Sequence, residues 1–398
     1  MAGSPIVIVG AGQGGMQAAA SLRERGFDGP LTLVGAEPHP PYDRPPLSKQ
    51  FLAGQLGAEA IELRTAAFYE SHGIDLVLGT RVVEIDREWR AVELASGERL
   101  PFKRLVLALG ATPRQLPVPG ADHPDVLVLR TLAEATALRE RLATPRRLVV
   151  IGAGFTGLEA AAAARAAGHE VTVIEALDRV LARAVSVPVS EHVAELHRGR
   201  GVKILFGRRV EAIESDPGGS LRAVRLRGGE SVPADLVLVG IGVLPDTGLA
   251  EDAGLAVANG IVVDAHLRTS DPSIHAVGDC ARFPSPYADA PLRLESVQNA
   301  TDQAKCVAEY IAGGGVRGRR YSAVPWFWTD QYSDKIQIAG ITTGHDRVEV
   351  VGDPAGGRFS VHCFAGDRLL GVESINRPAE HIKARRTLAA VEVLAGAA

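Results

Sequence analysis

One short pattern occurs twice in the chain and leaves little choice of fold. Leu148-Val149-Val150-Ile151 is an apolar run of strand length that breaks into Gly152-Ala153-Gly154-Phe155-Thr156-Gly157 and continues as an alanine-rich segment with helical spacing. The same succession opens the chain: Ile6-Val7-Ile8-Val9, then Gly10-Ala11-Gly12-Gln13-Gly14-Gly15, then a helical segment from Met16 to Arg25. Each copy predicts a strand, a tight turn and a helix start. The first glycine permits the turn, the second lets a pyrophosphate meet bare backbone, and the third lets helix and strand pack closely. Unpaired N–H groups at the helix N-terminus then receive the phosphates. In each copy a second strand ends near an acid, Leu31 to Val34 before Glu37 and Val171 to Ile174 before Glu175. A carboxylate there is placed to accept from the hydroxyls of an adenosine ribose. Two such units predict an α/β chain with two Rossmann-like dinucleotide-binding domains, and two dinucleotides to fill them.

Length and composition agree with this and remove other classes. At 398 residues, with 46% hydrophobic and 23% charged residues, the chain suits two or three globular domains. A formal net charge of -4 gives no general attraction to nucleic acid or to an anionic membrane. Cys280, Cys306 and Cys363 form neither a CxxC nor a CxxxxC pair, which argues against a redox dithiol and a zinc site and for a reducing compartment. No apolar run approaches membrane-spanning length. The expectation is a soluble cytoplasmic protein without a metal.

Between and after the two units, several segments carry less regular signals. Pro40 to Lys49, PPYDRPPLSK, is held extended by its prolines and presents Arg44 and Lys49 on a stiff loop. Strands are expected at Asp75 to Leu78, Arg90 to Glu93 and Arg104 to Leu109. A helix is expected at Leu132 to Leu142, and further strands at Val202 to Phe206, Ala223 to Leu226, Leu236 to Val239 and Ile274 to Val277. Residues 295 to 311 read as a helix. From Tyr321 the texture changes: two of the three tryptophans lie in Pro325 to Tyr332, and alternating segments predict an antiparallel sheet before a last helix at Ala379 to Leu394.

The ordered motifs GAGQGG, PPYDRPPLSK, ALGATP, IGAGFTGLE, VGIGVLP, HAVGDCA, LESVQNA and PWFWTDQY resemble the FAD-dependent pyridine nucleotide-disulfide reductase superfamily. More narrowly they resemble the NADH-dependent ferredoxin reductases of bacterial Rieske oxygenase and cytochrome P450 systems. The likeness implies a glutathione-reductase-like arrangement with a C-terminal α+β domain. It places a discontinuous FAD domain at 1–113 and 245–320, an NAD domain at 114–244 and the C-terminal domain at 321–398. It also implies that Gly10, Gly12, Gly15, Glu37, Arg44, Ala111, Asp279 and Val297 contact FAD, and that Gly152, Gly154, Gly157, Glu175 and Gly242 contact NAD. A strand-end acid such as Glu175 suits the ribose hydroxyls of NADH and repels the 2′-phosphate of NADPH, though Arg179 and Arg183 downstream leave dual use open.

The activity implied is hydride transfer from NADH to FAD, then single-electron transfer to an acidic [2Fe-2S] ferredoxin that serves an oxygenase. Lys49 is expected beside the flavin, paired with Glu159, whose other reading is a first-turn acid complementing a helix dipole. Trp328 is expected to face the flavin and Trp326 to pack. Arg317, Arg319, Arg320, Lys383, Arg385 and Arg386 are the expected basic surface for the partner. A disulfide substrate is disfavoured because the first helix has no cysteine, and peroxide or coenzyme A disulfide because residues 38 to 55 have none. An NADH oxidase or quinone reductase, or a partner-binding flavoprotein similar to apoptosis-inducing factor, stays open. The chain is expected to be a monomer or a weak homodimer.

Overall fold

The structure is a computed structural model that describes residues 4–315 and 318–395. It divides into two compact units. The first comprises Met1–Asp43, Ile61–Thr112 and Leu244–Pro325, and the second Arg44–Ala60, Pro113–Val243 and Trp326–Ala398.

The first unit is built on a parallel five-stranded sheet in the order Ile274–Ala276, Arg104–Leu107, Ile6–Val9, Leu31–Gly35, Asp75–Leu78. Ile6–Val9 lies in the middle, with Ile6 in register with Leu31 on one side and Arg104 on the other. All four of its residues are buried, which is why the run is uninterrupted by polar residues: a central parallel strand is covered on both faces. The helix Gln13–Glu24 follows the turn, and the helix Val297–Ala312 packs beside it; Gln13 Nε2 donates to Thr301 Oγ1 at 3.0 Å. A three-stranded antiparallel sheet, Val82–Asp86, Ala91–Leu94 and Arg99–Pro101, completes this unit.

The second unit repeats the parallel sheet in the order Lys203–Leu205, Glu170–Ile174, Arg147–Ile151, Leu236–Val239, Val126–Leu127. Its alanine-rich helix, Phe155–Ala166, buries small side chains that let it lie close to the sheet. The unit also holds an antiparallel five-stranded sheet in the order Trp326–Gln331, Asp334–Gly340, Arg368–Ile375, Arg358–Ala365, Arg347–Asp353, with the helix Pro378–Ala395. The expected C-terminal sheet is present, and the aromatic segment forms its edge strand. A helix not foreseen from the sequence, Val187–Gly199, bears Pro188 in its first turn.

The compact units differ from the three-part description in two respects. Residues 44–60 group with the second nucleotide fold, and that fold and the C-terminal sheet form one unit. The physical reason is a continuous apolar core: Leu148, Val150, Leu158 and Val173 share it with Leu52 and with Ile336, Ile338, Phe359 and Ile375.

Candidate functional site

In the first unit the turn that follows the strand Ile6–Val9 is sterically restricted to glycine at two positions. Gly10 has φ +110°, and a Cβ there would strike the Ala108 carbonyl; a Cβ on Gly15 would strike the Gly10 carbonyl oxygen. Gly12 is different. It caps Gln13–Glu24 with extended backbone and no side-chain hydrogen bond, and a Cβ on it would meet no atom within 4 Å. No atom of the described residues crowds that position, and the bare backbone at the helix N-terminus leaves room for an anionic group such as a pyrophosphate. Glu37 is half-buried beyond the second strand and accepts from the Tyr42 hydroxyl at 2.6 Å. Asp279 lies half-buried in the short 3₁₀ turn Gly278–Cys280, where Gly278 has φ +77° and its N–H donates to Gln303 Oε1 at 2.7 Å. Ala111 is buried, and Val297 is the first residue of its helix. Cys280 is fully enclosed, and burial pushes its thiol up to about 11, so it packs as a small apolar group.

The second unit reproduces this turn. Gly152 has φ +101°, a Cβ on it would lie 2.4 Å from the Gly240 carbonyl, and a Cβ on Gly157 would lie 2.6 Å from the Gly152 carbonyl. Gly154 caps Phe155–Ala166 without a side-chain bond, and a Cβ on it would meet only the Gly240 oxygen, at 3.9 Å. Gly242, φ +98°, accepts from the Arg114 N–H at 2.9 Å. Glu175 accepts from the Ala153 N–H at 2.7 Å and the Leu177 N–H at 2.8 Å, so it stands against the turn itself. The Arg179 guanidinium is engaged with its own loop, donating to the carbonyls of Val185 at 2.9 Å and Ala182 at 2.7 Å. Arg183 is exposed.

The same unit brings Lys49 and Glu159 together, with Nζ 3.1 Å from Oε1. Glu159 lies beyond the first turn of its helix and is buried, its side chain 8% exposed. Burial pushes its carboxyl up, opposed by the Lys49 charge and by the hydroxyls of Ser48 and Thr329, which donate at 2.6 and 2.5 Å. Lys49 also reaches Asp330, 3.1 Å away and 37% exposed. Thr329 and Gln331 point to the buried face of the edge strand, and Gln331 Nε2 donates to Thr329 Oγ1 at 2.9 Å while its Oε1 meets His197 Nε2 at 3.0 Å. Sequence reasoning alone misses Ser48, Thr329, Asp330, Gln331 and His197. The alternation Thr329-Asp330-Gln331 is the available signal, but two polar residues facing inward reverse the usual pattern. Arg44 donates to the Arg130 carbonyl at 2.6 Å.

Trp328 and Trp326 lie on this strand with ring centroids 5.6 Å apart, and Phe327 packs 4.6 Å from Phe155, the residue after Gly154. Arg385 lies over Trp326 at 4.7 Å, while Lys383 and Arg386 are exposed. In the first unit Arg319 is exposed and paired with Glu309 at 3.3 Å, and Arg320 is exposed. Arg317 lies outside the described residues. Among the described residues no group of three His, Cys, Asp or Glu side chains could hold a metal ion, and no helix is long and apolar enough to cross a membrane.

A family model described as pyridine nucleotide-disulphide oxidoreductase matches residues 4–304, and one described as reductase C-terminal matches residues 326–398. The chain is 49% identical over 384 residues to rhodocoxin reductase of Rhodococcus erythropolis, covering 96% of this chain and 89% of that protein. Among solved structures, the covalent putidaredoxin reductase–putidaredoxin complex aligns with a TM-score of 0.93 at 43% identity, over 97% of this chain and 93% of that one. The ferredoxin reductase for the CYP199A2 system from Rhodopseudomonas palustris aligns with a TM-score of 0.92 at 45% identity, over 95% and 93%.

Proposed function

The chain belongs to the pyridine nucleotide-disulphide oxidoreductase family, and on that premise we propose that it carries electrons from NADH, through FAD, to a [2Fe-2S] ferredoxin serving an oxygenase. It is a ferredoxin reductase, with FAD and a reduced nicotinamide nucleotide as cofactors. The observation that carries this is likeness over nearly the whole chain to rhodocoxin reductase and to the reductase of the putidaredoxin complex, C-terminal sheet included. The disulfide chemistry of the wider family needs a cysteine pair, and Cys280, Cys306 and Cys363 are all free.

In this reading Gly10, Gly12 and Gly15 offer backbone to the FAD pyrophosphate, and Glu37 and Asp279 accept from its hydroxyls. Gly152, Gly154 and Gly157 do the same for NADH. Bound FAD supplies the redox chemistry, accepting a hydride and releasing its electrons one at a time. Lys49 provides a fixed positive charge for the flavin ring, and Glu159 and Asp330 hold that charge in place. Two features favour NADH over NADPH: the Glu175 carboxylate at the second turn, and the commitment of Arg179 to loop carbonyls. Trp328 lies on the face of the edge strand that also bears Asp330, and Lys383, Arg385 and Arg386 supply positive charge for an acidic ferredoxin. Three free cysteines suit the cytoplasm, and the chain is read as a monomer or weak homodimer.

The test is anaerobic mixing. NADH bleaches the flavin absorbance, and a [2Fe-2S] ferredoxin added next is reduced as the absorbance returns; NADPH bleaches far more slowly. Fast reduction of quinone or oxygen, with no acceleration by any ferredoxin, would favour the oxidase or quinone reductase instead.

A further inference from the structure

Glu373 is a carboxylate in the middle of the strand Arg368–Ile375, fully buried, and the reaction above makes no use of it. Enclosing a charge this way costs several kcal/mol unless its partners are well placed. Almost all of its partners belong to one residue. The Ser186 N–H donates to its two oxygens at 2.9 and 3.1 Å, and the Ser186 hydroxyl donates at 2.5 Å; Thr342 adds a further hydrogen bond. Ser186 is the residue before the helix Val187–Gly199, and its side chain caps no N–H of that helix. Glu373 therefore meets the backbone N–H of the residue that begins that helix, where a negative charge is favoured.

From Ser186 a continuous series of contacts runs back to the second glycine turn. Val185, its neighbour, accepts from Arg179 Nη1 at 2.9 Å, and Arg179 Nη2 donates to the Ala182 carbonyl at 2.7 Å. Next to Ala182, Leu181 adopts φ +51°, and its N–H donates to the Ala153 carbonyl at 3.0 Å. The Ala153 N–H in turn donates to Glu175 at 2.7 Å. The residue between the first two glycines of the turn is thus held at both its N–H and its C=O by the segment 175–186. That segment is closed on itself by Arg179 and anchored at its end by Glu373.

We propose that Glu373 and Arg179 are positioning residues for the nicotinamide nucleotide: through Ser186 and the loop, the C-terminal sheet fixes the turn whose backbone meets the pyrophosphate. This rests on the assignment of the second turn to that nucleotide. It gives the C-terminal sheet a part in cosubstrate binding in addition to any part in partner binding. Arg179 acts as a brace for the loop and makes no contact with a 2′-phosphate.

The experiment uses the flavin-loaded protein and the variants Glu373→Gln, Arg179→Ala and Gly157→Val. NAD⁺ affinity of the oxidised protein is measured by calorimetry, and KM and kcat are measured with NADH and NADPH. For Glu373→Gln and Arg179→Ala the NAD⁺ Kd and the NADH KM rise by roughly 10-fold, with kcat falling much less and flavin content intact. A lower Tm with unchanged Kd and KM in both would make these residues merely structural and overturn the proposal. So would an Arg179→Ala effect confined to NADPH, which would make it a phosphate contact. Gly157→Val separates this from the underlying assignment: if it binds NAD⁺ normally, the second turn is not the nucleotide site. If it alone loses NAD⁺, the assignment stands and the positioning role falls. Arg179 is half-exposed, so its variant decides the matter even if Glu373→Gln does not fold.

Discussion

The two glycine turns have nearly the same cradle and are held in different ways. Around the first, the support is packed side chains: a Cβ on Gly14 would press on Val277 at 3.3 Å and Ala300 at 3.7 Å, and Gln13 bonds to Thr301 on the helix Val297–Ala312. Its strand-end acid, Glu37, is met by the Tyr42 phenol. Around the second, the support is a loop whose backbone and carboxylate grip Ala153. Side-chain packing spreads the first turn's support over two helices, whereas the second turn's rests largely on a few hydrogen bonds that single substitutions can remove. The difference matches the task proposed for each turn, since FAD stays bound through many cycles and NADH must enter and NAD⁺ leave in every one.

Glycine substitutions test this comparison most severely. Gly15→Ala places a Cβ against the Gly10 carbonyl inside the packed turn, and we expect protein that purifies without flavin. Gly157→Ala has its clash at 2.6 Å in the turn held by the loop, and we expect flavin retained with the NADH KM raised about 100-fold. The ratio of flavin absorbance to protein, with steady-state kinetics, checks both; flavin loss in Gly157→Ala would break the distinction. Next in size is Glu159→Gln. Both cofactors should still bind, while flavin reduction in stopped flow slows by about 100-fold because the Lys49 charge loses its buried partner. Weakened NAD⁺ binding as the main effect would return Glu159 to the turn rather than to the chemistry.

The smallest effect concerns acid. His275, in the first parallel sheet, is fully buried with both ring nitrogens unpartnered, and burial, aided by the Arg104 charge, lowers it to about 3. Its unfolded form takes up a proton near pH 6.5, which the folded form refuses. Stability from this group is therefore complete above that pH and is lost as pH falls towards 3. His197 in the second unit is also lowered by burial but keeps a hydrogen bond to Gln331. Between about pH 7 and about pH 5 the first unit should lose about 2 kcal/mol through His275, a loss that His275→Leu removes. Urea midpoints followed by flavin fluorescence at the two pH values measure it, and equal losses in variant and parent would rule out this source.

Much of the fold was legible because its signals are local. In each nucleotide unit the strand, turn, helix and acid follow one another closely, and the parallel pairing of Ile6 with Leu31 and of Arg147 with Glu170 follows from that order. The helix Val187–Gly199 was less legible, since Pro188 in its first turn masks its start. The site divides in the same way. The glycines and strand-end acids announce themselves by spacing, whereas the pairing of Lys49 with Glu159 was expected only from family likeness.

By itself, then, the sequence determined two dinucleotide folds, the glycines on which each turn depends and the absence of a cysteine pair in the first helix. Tertiary structure alone decided that Asp330 shares Lys49, that Thr329 and Gln331 turn inward beneath Glu159, and that Glu373 reaches Ser186. The reason is physical. A turn's glycines are dictated by backbone sterics within a few residues, but the partner of a buried charge is chosen by whichever distant segment the common core brings beside it.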